Sequence, residues 1–159
     1  MKYLIDTNIF IRSKNEMPMK IWPTFWTKMN DMINSGKVFI SDKVKEEIYK
    51  GKDELTDWVK GHAPASCYIH VDTSIMQKYG ETQIWASSQH YTDNAKLVFA
   101  DVADAYLVAT AAAKDLTLVT YEKSVPESKK RVMIPDACDA IGAKYCDLNA
   151  VLSEMEIRI

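Results

Sequence analysis

The segment Lys2-Tyr3-Leu4-Ile5-Asp6-Thr7-Asn8 opens the chain with an apolar run that stops at polar residues. Strands of a parallel sheet are covered on both faces, so they appear as continuous apolar runs rather than as alternating ones. In an open α/β sheet, ligands bind beyond the carboxyl ends of the strands. The segment therefore predicts a buried parallel strand with Asp6 at the edge of the sheet where a functional site forms.

Outward from this strand, short apolar runs alternate with amphipathic segments. Further strands are predicted at 38–40, 67–71, 116–120, 132–134 and 144–148. Helices are predicted at 21–35, 42–51, 55–59, 73–88, 101–113, 136–141 and from 149 onward. This alternation indicates an α/β sandwich with a mainly parallel sheet and right-handed connections. Neither a repeat nor a linker interrupts the pattern, so we expect a single domain over residues 1–159.

The composition is that of a globular protein, with 47% hydrophobic and 26% charged residues. No apolar run reaches the roughly 18 residues of a membrane helix, and an acid at position 6 does not fit a signal peptide. Three cysteines without C-x-x-C spacing argue against a disulfide framework or a zinc site. We therefore expect a cytoplasmic protein with no membrane partner. Its net charge of −2 counts against broad nucleic-acid binding but allows a local basic rim.

Four acids come from four separate segments of the predicted sheet and helices, namely Asp6, Glu47, Asp104 and Glu122. No histidine or cysteine accompanies them, and a donor set made only of carboxylates suits a hard divalent cation such as Mg²⁺ or Mn²⁺. Clustered carboxylates without a cation would repel one another, whereas one or two cations would hold a phosphate oxygen and activate water. The set predicts hydrolysis of a phosphodiester bond.

Each acid also has a purely structural interpretation. Asp6 is a common turn residue after a strand, and Glu47 could belong to a solvated helix face. Asp104 could be favoured by the positive end of a helix, and Glu122 could be an ordinary loop acid. Asp101 lies three residues before Asp104, so it is either an additional metal ligand or the cap of the same helix; we favour the supporting role.

Four segments resemble the motifs of PIN domains. Tyr3-Leu4-Ile5-Asp6-Thr7-Asn8 resembles the opening motif, a hydrophobic strand that ends in Asp-x-Asn. Val44-Lys45-Glu46-Glu47-Ile48 resembles the second, and Ala103-Asp104-Ala105-Tyr106-Leu107-Val108-Ala109-Thr110-Ala111 resembles the third. Leu118-Val119-Thr120-Tyr121-Glu122 stands where the family has a strand followed by an aspartate. The resemblance covers nearly the whole chain.

The resemblance implies a three-layer α/β/α PIN-like fold and a Mg²⁺- or Mn²⁺-dependent endoribonuclease. It implies that Asp6, Glu47, Asp104 and Glu122 are the catalytic metal ligands. Members of this kind often serve as the toxin of a type II toxin–antitoxin pair, as VapC-like proteins do, so a homodimer and a small antitoxin partner are expected. Glu122 replaces the usual aspartate, and its longer side chain moves the carboxylate outward.

Other polar residues could support this site. Asn8 and Thr120 could orient water or the carboxylates, although both also fit plain turn chemistry. A basic rim could hold RNA phosphates while the bulk of the protein stays acidic, and a solvated loop is its structural alternative. The rim consists of Arg12, Lys14, Lys123, Lys129, Lys130 and Arg131. Two other functions remain open: a PIN-like nuclease of DNA or structured RNA without a toxin role, and a non-catalytic PIN-like binding module.

Overall fold

The computed structural model describes all 159 residues. Its centre is a five-stranded, all-parallel sheet in the order β3-β2-β1-β4-β5. The strands are β1 (Tyr3–Ile5), β2 (Val38–Ser41), β3 (Tyr68–Ile69), β4 (Thr117–Val119) and β5 (Lys144–Cys146). The helices are α1 (Thr7–Glu16), α2 (Pro23–Ile33), α3 (Asp42–Gly51), α4 (Glu54–His62), α5 (Thr73–Ser88), α6 (Asp93–Asp101), α7 (Ala103–Lys114), α8 (Ile134–Ile141) and α9 (Leu148–Glu154).

The first strand occupies the middle of the sheet, as its apolar sequence predicts. Tyr3 lies opposite Val38 of β2 on one side and Thr117 of β4 on the other. All three residues of β1 are buried, because helices cover the sheet on both faces and form the outer layers of a three-layer α/β/α fold. The core is one cluster of 35 buried hydrophobic residues.

The order of the strands creates a switch point between β1 and β4. The chain adds β2 and β3 on one side of β1, and then β4 and β5 on the other. All carboxyl ends of parallel strands share one edge of the sheet, and neighbouring connections diverge at the switch point to leave a crevice. Asp6 follows β1 directly, and Glu122 lies three residues after β4. The topology therefore brings the two acids to the same crevice.

Most of the predicted elements are confirmed, and the predicted helix at 73–88 is found with the same bounds. The strand predicted at 132–134 is wrong, because Ile134 begins α8 and Pro135 occupies its first turn. The helix predicted at 101–113 is two helices, since Val102 adopts an extended conformation (φ −90°, ψ 168°) between α6 and α7. Helices α1 and α6 were not predicted.

None of the helices combines the length and the apolar character needed to cross a bilayer. The longest helix, α5, has 16 residues and carries the charged residues Lys78 and Glu81 near its middle.

Candidate active site

Asp6 lies at the carboxyl end of β1 and is also the N-cap of α1. Its side chain accepts a hydrogen bond from the backbone N–H of Asn8 at 3.4 Å and one from the hydroxyl of Thr120 at 2.9 Å. The residue is only 1% exposed. The pKa of Asp6 is raised to about 6, mainly by burial and in part by the charges of Glu122 and Glu47, while the two hydrogen bonds oppose the rise.

Asp104 lies in the first turn of α7 and is partly buried. The pKa of its carboxyl group is raised to about 7, mainly by burial and in part by the negative charges of Asp6, Glu122 and Glu47. The positive charge of Arg131 acts in the opposite direction. The negative charges of the other three predicted acids thus all raise the pKa of Asp104.

Glu47 and Glu122 each cap a helix to which they do not belong. The backbone N–H of Ala103 donates to Glu47 Oε1 at 3.0 Å, and that of Ile134 donates to Glu122 Oε1 at 3.2 Å. The N-cap residues of α7 and α8 offer no capping side chain, so the two glutamates satisfy N–H groups that would otherwise lack a partner. Both therefore have a structural role.

Glu122 is held on its other side by a cation. Its carboxylate is 8% exposed, and burial raises its pKa. Arg131 Nη2 lies 3.2 Å from Glu122 Oε2, yet the two groups are not aligned for a hydrogen bond, so this buried oxygen has no hydrogen-bond donor. The contact is an ion pair that leaves a buried lone pair free for another ligand.

The charges of the four acids interact, but their side chains do not form one set of metal ligands. No group of three or more Asp, Glu, His or Cys side chains is arranged to hold a metal ion. The capping contacts explain this, since Glu47 and Glu122 direct an oxygen at a helix N-terminus. The chemistry still suits a hard cation, because the donors are all oxygens and a cation would relieve the repulsion that raises the pKa of Asp104.

Asp101 is placed differently from the sequence expectation. It is exposed, and it ends α6 rather than beginning the next helix. The N-cap of α7 is Val102, so the expectation that Asp101 caps the helix of Asp104 is wrong. Asp101 does line the same cleft as Asp104, which keeps a ligand role open to it.

The two predicted supporting residues lie beside Asp6. Thr120 is buried, and its hydroxyl both donates to Asp6 and accepts from the backbone N–H of Glu122 at 3.1 Å. Asn8 contacts Asp6 through its backbone, and its side chain is exposed in the crevice. Thr120 thus links two of the predicted acids directly.

The predicted basic rim is divided in the structure. Lys14 pairs with Asp53, the N-cap of α4, at 2.6 Å, so it ties α1 to α4. Arg12 binds Glu16 at 2.8 Å and lies over the ring of Tyr121. The loop cations are exposed, and these are Lys123, Lys129, Lys130 and Arg131. Of these four, Arg131 is the one in contact with a predicted acid.

Two clefts meet at Arg131. The larger has a volume of about 660 Å³ and contains Glu47, Asp101 and Asp104. The smaller, of about 410 Å³, contains Asn8 and Glu122. Arg131 lines both clefts, so this cation lies between the cleft of Glu47 and Asp104 and the cleft of Glu122. Asp6 lines neither cleft.

Three further residues of the larger cleft were missed in the sequence, namely Lys43, Lys50 and Tyr106. Lys43 lies four residues before Glu47 and Lys50 lies three after it, so helical spacing could have placed both on the face of α3 that carries Glu47. Tyr106 lies two residues after Asp104, and nothing in its spacing marks it.

A fourth missed residue, Asp136, organises the loop after β4. It is 8% exposed and accepts hydrogen bonds from the hydroxyl of Ser124 at 2.5 Å and from the backbone N–H of Val125 at 3.0 Å. Glu122 from this loop caps α8, and Asp136 from α8 holds the loop. These reciprocal contacts fix the segment that carries Glu122. An acid in the first turn of a helix gives no sequence signal for such a role.

The family described as "Domain of unknown function (DUF4411)" matches residues 3–159, and the chain belongs to that family. No curated protein matches the sequence. Among solved structures, the fold is similar to a chain in the "Crystal structure of VapBC2 from Rickettsia felis bound to a DNA fragment from their promoter". The two chains are 15% identical with a TM-score of 0.58, and the similarity covers 92% of this chain and 98% of the other. The fold is therefore PIN-like.

Proposed function

We propose that this member of the DUF4411 family is a metal-dependent endoribonuclease that hydrolyses RNA phosphodiester bonds. The observation that carries the proposal is that the charge of buried Asp6 acts on partly buried Asp104, and that the pKa values of these two carboxyl groups are raised to about 6 and about 7. Asp6 ends β1 at the switch point of a PIN-like sheet, where ligands of α/β proteins bind. Perturbed carboxylates in a cleft are candidates for function.

Asp6 and Asp104 would hold Mg²⁺ or Mn²⁺, assisted by Glu122, Glu47 and Asp101. When bound, such a cation polarises a phosphate and activates water. The residues of the chain do the rest. Thr120 keeps Asp6 oriented through its hydroxyl. Arg131 lies at the junction of both clefts, where a guanidinium group suits a phosphate of the RNA backbone.

Cleavage of a labelled RNA by the purified protein in Mn²⁺, Mg²⁺ or EDTA tests this function. We expect cleavage with either cation and none in EDTA. Asp6→Asn and Asp104→Asn should each abolish cleavage, because each removes a charged ligand without changing its size. Asp139→Asn, at an exposed aspartate of α8, is the matched control and should cleave like the parent. Retention of most activity by either site variant would refute the proposed site.

We further propose that the enzyme acts in the cytoplasm as the toxin of a type II toxin–antitoxin pair, as a homodimer inhibited by a small antitoxin. The fold similarity to a chain of a VapBC2 complex and the motif resemblance support this role. Expression of the gene alone should slow growth, and expression of the Asp6→Asn form should not. Equal growth with both forms would leave nuclease activity in place and remove the toxin role.

One observation favours a second candidate, a PIN-like binding module without catalysis. Glu47 and Glu122 are used as helix caps, and the four acids do not form one ligand sphere in this structure. A protein that binds RNA but cleaves none with any divalent cation would establish this alternative. A protein that cleaves DNA or structured RNA in preference to single strands would point to a nuclease outside a toxin pair.

A further inference from the structure

Lys43 and Tyr106 contact each other on the wall of the larger cleft. Lys43 Nζ lies 4.8 Å from the centroid of the Tyr106 ring. The ring of Tyr79 stacks on Tyr106 with centroids 4.4 Å apart and planes inclined by 22°. Two groups at these distances cannot share one face of a ring, so Tyr106 lies between Tyr79 and Lys43.

The two side chains that cover the faces of the Tyr106 ring differ in how firmly they are held in place. Tyr79 is fixed, because its hydroxyl donates a hydrogen bond to the carbonyl oxygen of Ala100 at 2.8 Å. Lys43 is a flexible side chain with 32% of its surface exposed, and its Nζ lies 4.0 Å from Glu46 Oε2. Both an exposed ion pair of this length and a cation–π contact at such a site are weak. A flat group that stacks more strongly than an ammonium can therefore take the face that Lys43 covers.

The position of this aromatic face relates it to the acids. Tyr106 follows Asp104 by two residues on α7, and Lys43 precedes Glu47 by one helical turn on α3. All four residues line the cleft of about 660 Å³. A base stacked on Tyr106 would lie in the same cleft as the carboxylates, and Lys43 could bind the adjoining phosphate.

We propose that Tyr106 and Lys43 form a nucleotide subsite in which Tyr106 stacks on an unpaired base and Lys43 binds a neighbouring phosphate. The subsite rests on the proposed function, since it places single-stranded RNA across the acids. Stacking on a protein aromatic requires a base that is not held inside a duplex. Lys50 and Arg131 add positive charge to the same cleft.

The charge of the cleft sets a condition on binding. Its carboxylates are Glu46, Glu47, Asp101 and Asp104, and they outnumber the three cations Lys43, Lys50 and Arg131. A divalent cation at the carboxylates therefore favours the approach of an RNA backbone. We expect RNA to bind more tightly in Mg²⁺ than in EDTA.

Fluorescence anisotropy of a labelled single-stranded RNA in Mg²⁺ tests the subsite. The RNA is a nuclease-resistant 2′-O-methyl oligonucleotide, so all proteins keep Asp6 and with it the proposed cation site. Tyr106→Leu should weaken binding about 5- to 100-fold, the range for loss of one stacked base, and leave the salt dependence unchanged. Lys43→Ala should weaken binding and reduce the slope of log Kd against log salt by about 0.7, the value for one phosphate on a single strand.

Lys45→Ala is the matched control, because Lys45 lies on the same helix and over the rings of Tyr49 and Tyr68, yet outside the cleft. It should bind like the parent. Duplex RNA should not distinguish Tyr106→Leu from the parent. Melting temperatures establish that each variant is folded, and Tyr106→Phe should bind like the parent.

Equal affinity of the parent, Tyr106→Leu and Lys43→Ala for single-stranded RNA would overturn the subsite, as would an equal loss in Lys45→Ala. The proposed function fails in a different way. An intact protein that binds RNA with this dependence on Tyr106 and Lys43 but cleaves none would keep the subsite and refute the nuclease.

Discussion

The hydroxyl of Thr120 donates a hydrogen bond to Oδ2 of Asp6 across 2.9 Å. The hydroxyl oxygen of Thr120 also accepts from the backbone N–H of Glu122, so this one side chain joins the end of β4 to the end of β1. Thr120 and Asp6 are both buried. A donor aimed at a carboxylate stabilises its charged form, so this bond lowers the pKa of Asp6 against the larger effect of burial.

Thr120→Val should shift the pH dependence of cleavage. Valine keeps the volume and removes the donor, so the pKa of Asp6 rises above its value of about 6. Because the charged form is the ligand, the acid limb of the pH–rate profile should move up by about one pH unit. Thr120→Ser restores the donor and should restore the profile.

Thr117→Val is the matched control for this change, since Thr117 is a buried threonine at the start of β4, three residues before Thr120. Its profile should coincide with that of the parent. Rates measured with one RNA at a Mn²⁺ concentration below saturation, where protons and Mn²⁺ compete for Asp6, decide the matter. A Thr120→Val profile that also coincides with the parent would show that this hydroxyl does not tune Asp6.

The position of Asp6 could be predicted because it depends on local sequence and general topology. An uninterrupted apolar run specifies a strand covered on both faces, and parallel strands place their carboxyl ends at one edge. The same reasoning locates Glu122 after β4. These parts of the candidate site follow from the sequence because no distant contact is needed to define them.

The contacts of Glu47 could not be predicted, because they depend on two segments 56 residues apart. The break at Val102 separates α6 from α7, and Glu47 then caps the exposed end of α7. Neither alanine-rich composition nor helical spacing marks such a break. The hydrogen bonds that Asp136 accepts from Ser124 and Val125 likewise depend on where α8 packs relative to the loop after β4. No local sequence pattern encodes this packing.

The metal-free protein should lose stability as pH rises from about 4 to about 7 on account of Asp6 and Asp104. Their pKa values rise from an ordinary 3.8 to about 6 and about 7 in the folded chain. Between these limits the folded state binds more protons than the unfolded state, so the free energy of unfolding falls. For Asp6 the full effect is on the order of 3 kcal/mol.

Urea unfolding in EDTA over this pH range provides the measurement. Carboxylates with lowered pKa values, such as Asp53, make the protein more stable as pH rises. The effect of Asp104 is therefore obtained from the difference between the free energies of unfolding of a variant and of the parent at each pH. Asp104→Asn should be more stable than the parent at pH 7 and equal to it near pH 4. Asp139→Asn should show no such divergence. If the free energies of unfolding of Asp104→Asn and the parent change with pH in parallel, the fold does not disfavour the charged form of Asp104.

Mn²⁺ should raise the melting temperature of the intact protein. The cation binds the folded acids and hardly binds the unfolded chain, so a concentration one hundred times Kd adds about 2.7 kcal/mol. For a chain of this size the melting temperature should rise by roughly 5–10 °C and return on addition of EDTA. Asp6→Asn and Asp104→Asn should abolish the rise, and Asp139→Asn should keep it. An unchanged melting temperature in the parent would argue against a metal site.

Two substitutions of Glu122 separate the effect of its negative charge from the effect of its side-chain length. Glu122→Gln keeps an oxygen that can accept from the N–H of Ile134, so α8 should remain capped and stability should change little. It removes the negative charge beside Arg131 and from the proposed site. We therefore expect turnover to fall by roughly ten- to a thousandfold, the scale of lost acid–base or supporting interactions.

Glu122→Asp should instead keep cleavage activity and lower the free energy of unfolding. Aspartate keeps the charge, and PIN domains have aspartate at the corresponding position, so appreciable cleavage should remain. Its side chain is one methylene shorter and should lose the bond to Ile134, at a cost of about 1 kcal/mol in the free energy of unfolding, as for other lost helix caps. Single-turnover cleavage at fixed Mn²⁺ and urea unfolding of the three proteins measure the two effects separately. Equal cleavage rates with a loss of stability only in Glu122→Asp would make Glu122 a helix cap alone, and would leave Asp6 and Asp104 as the centre of the site.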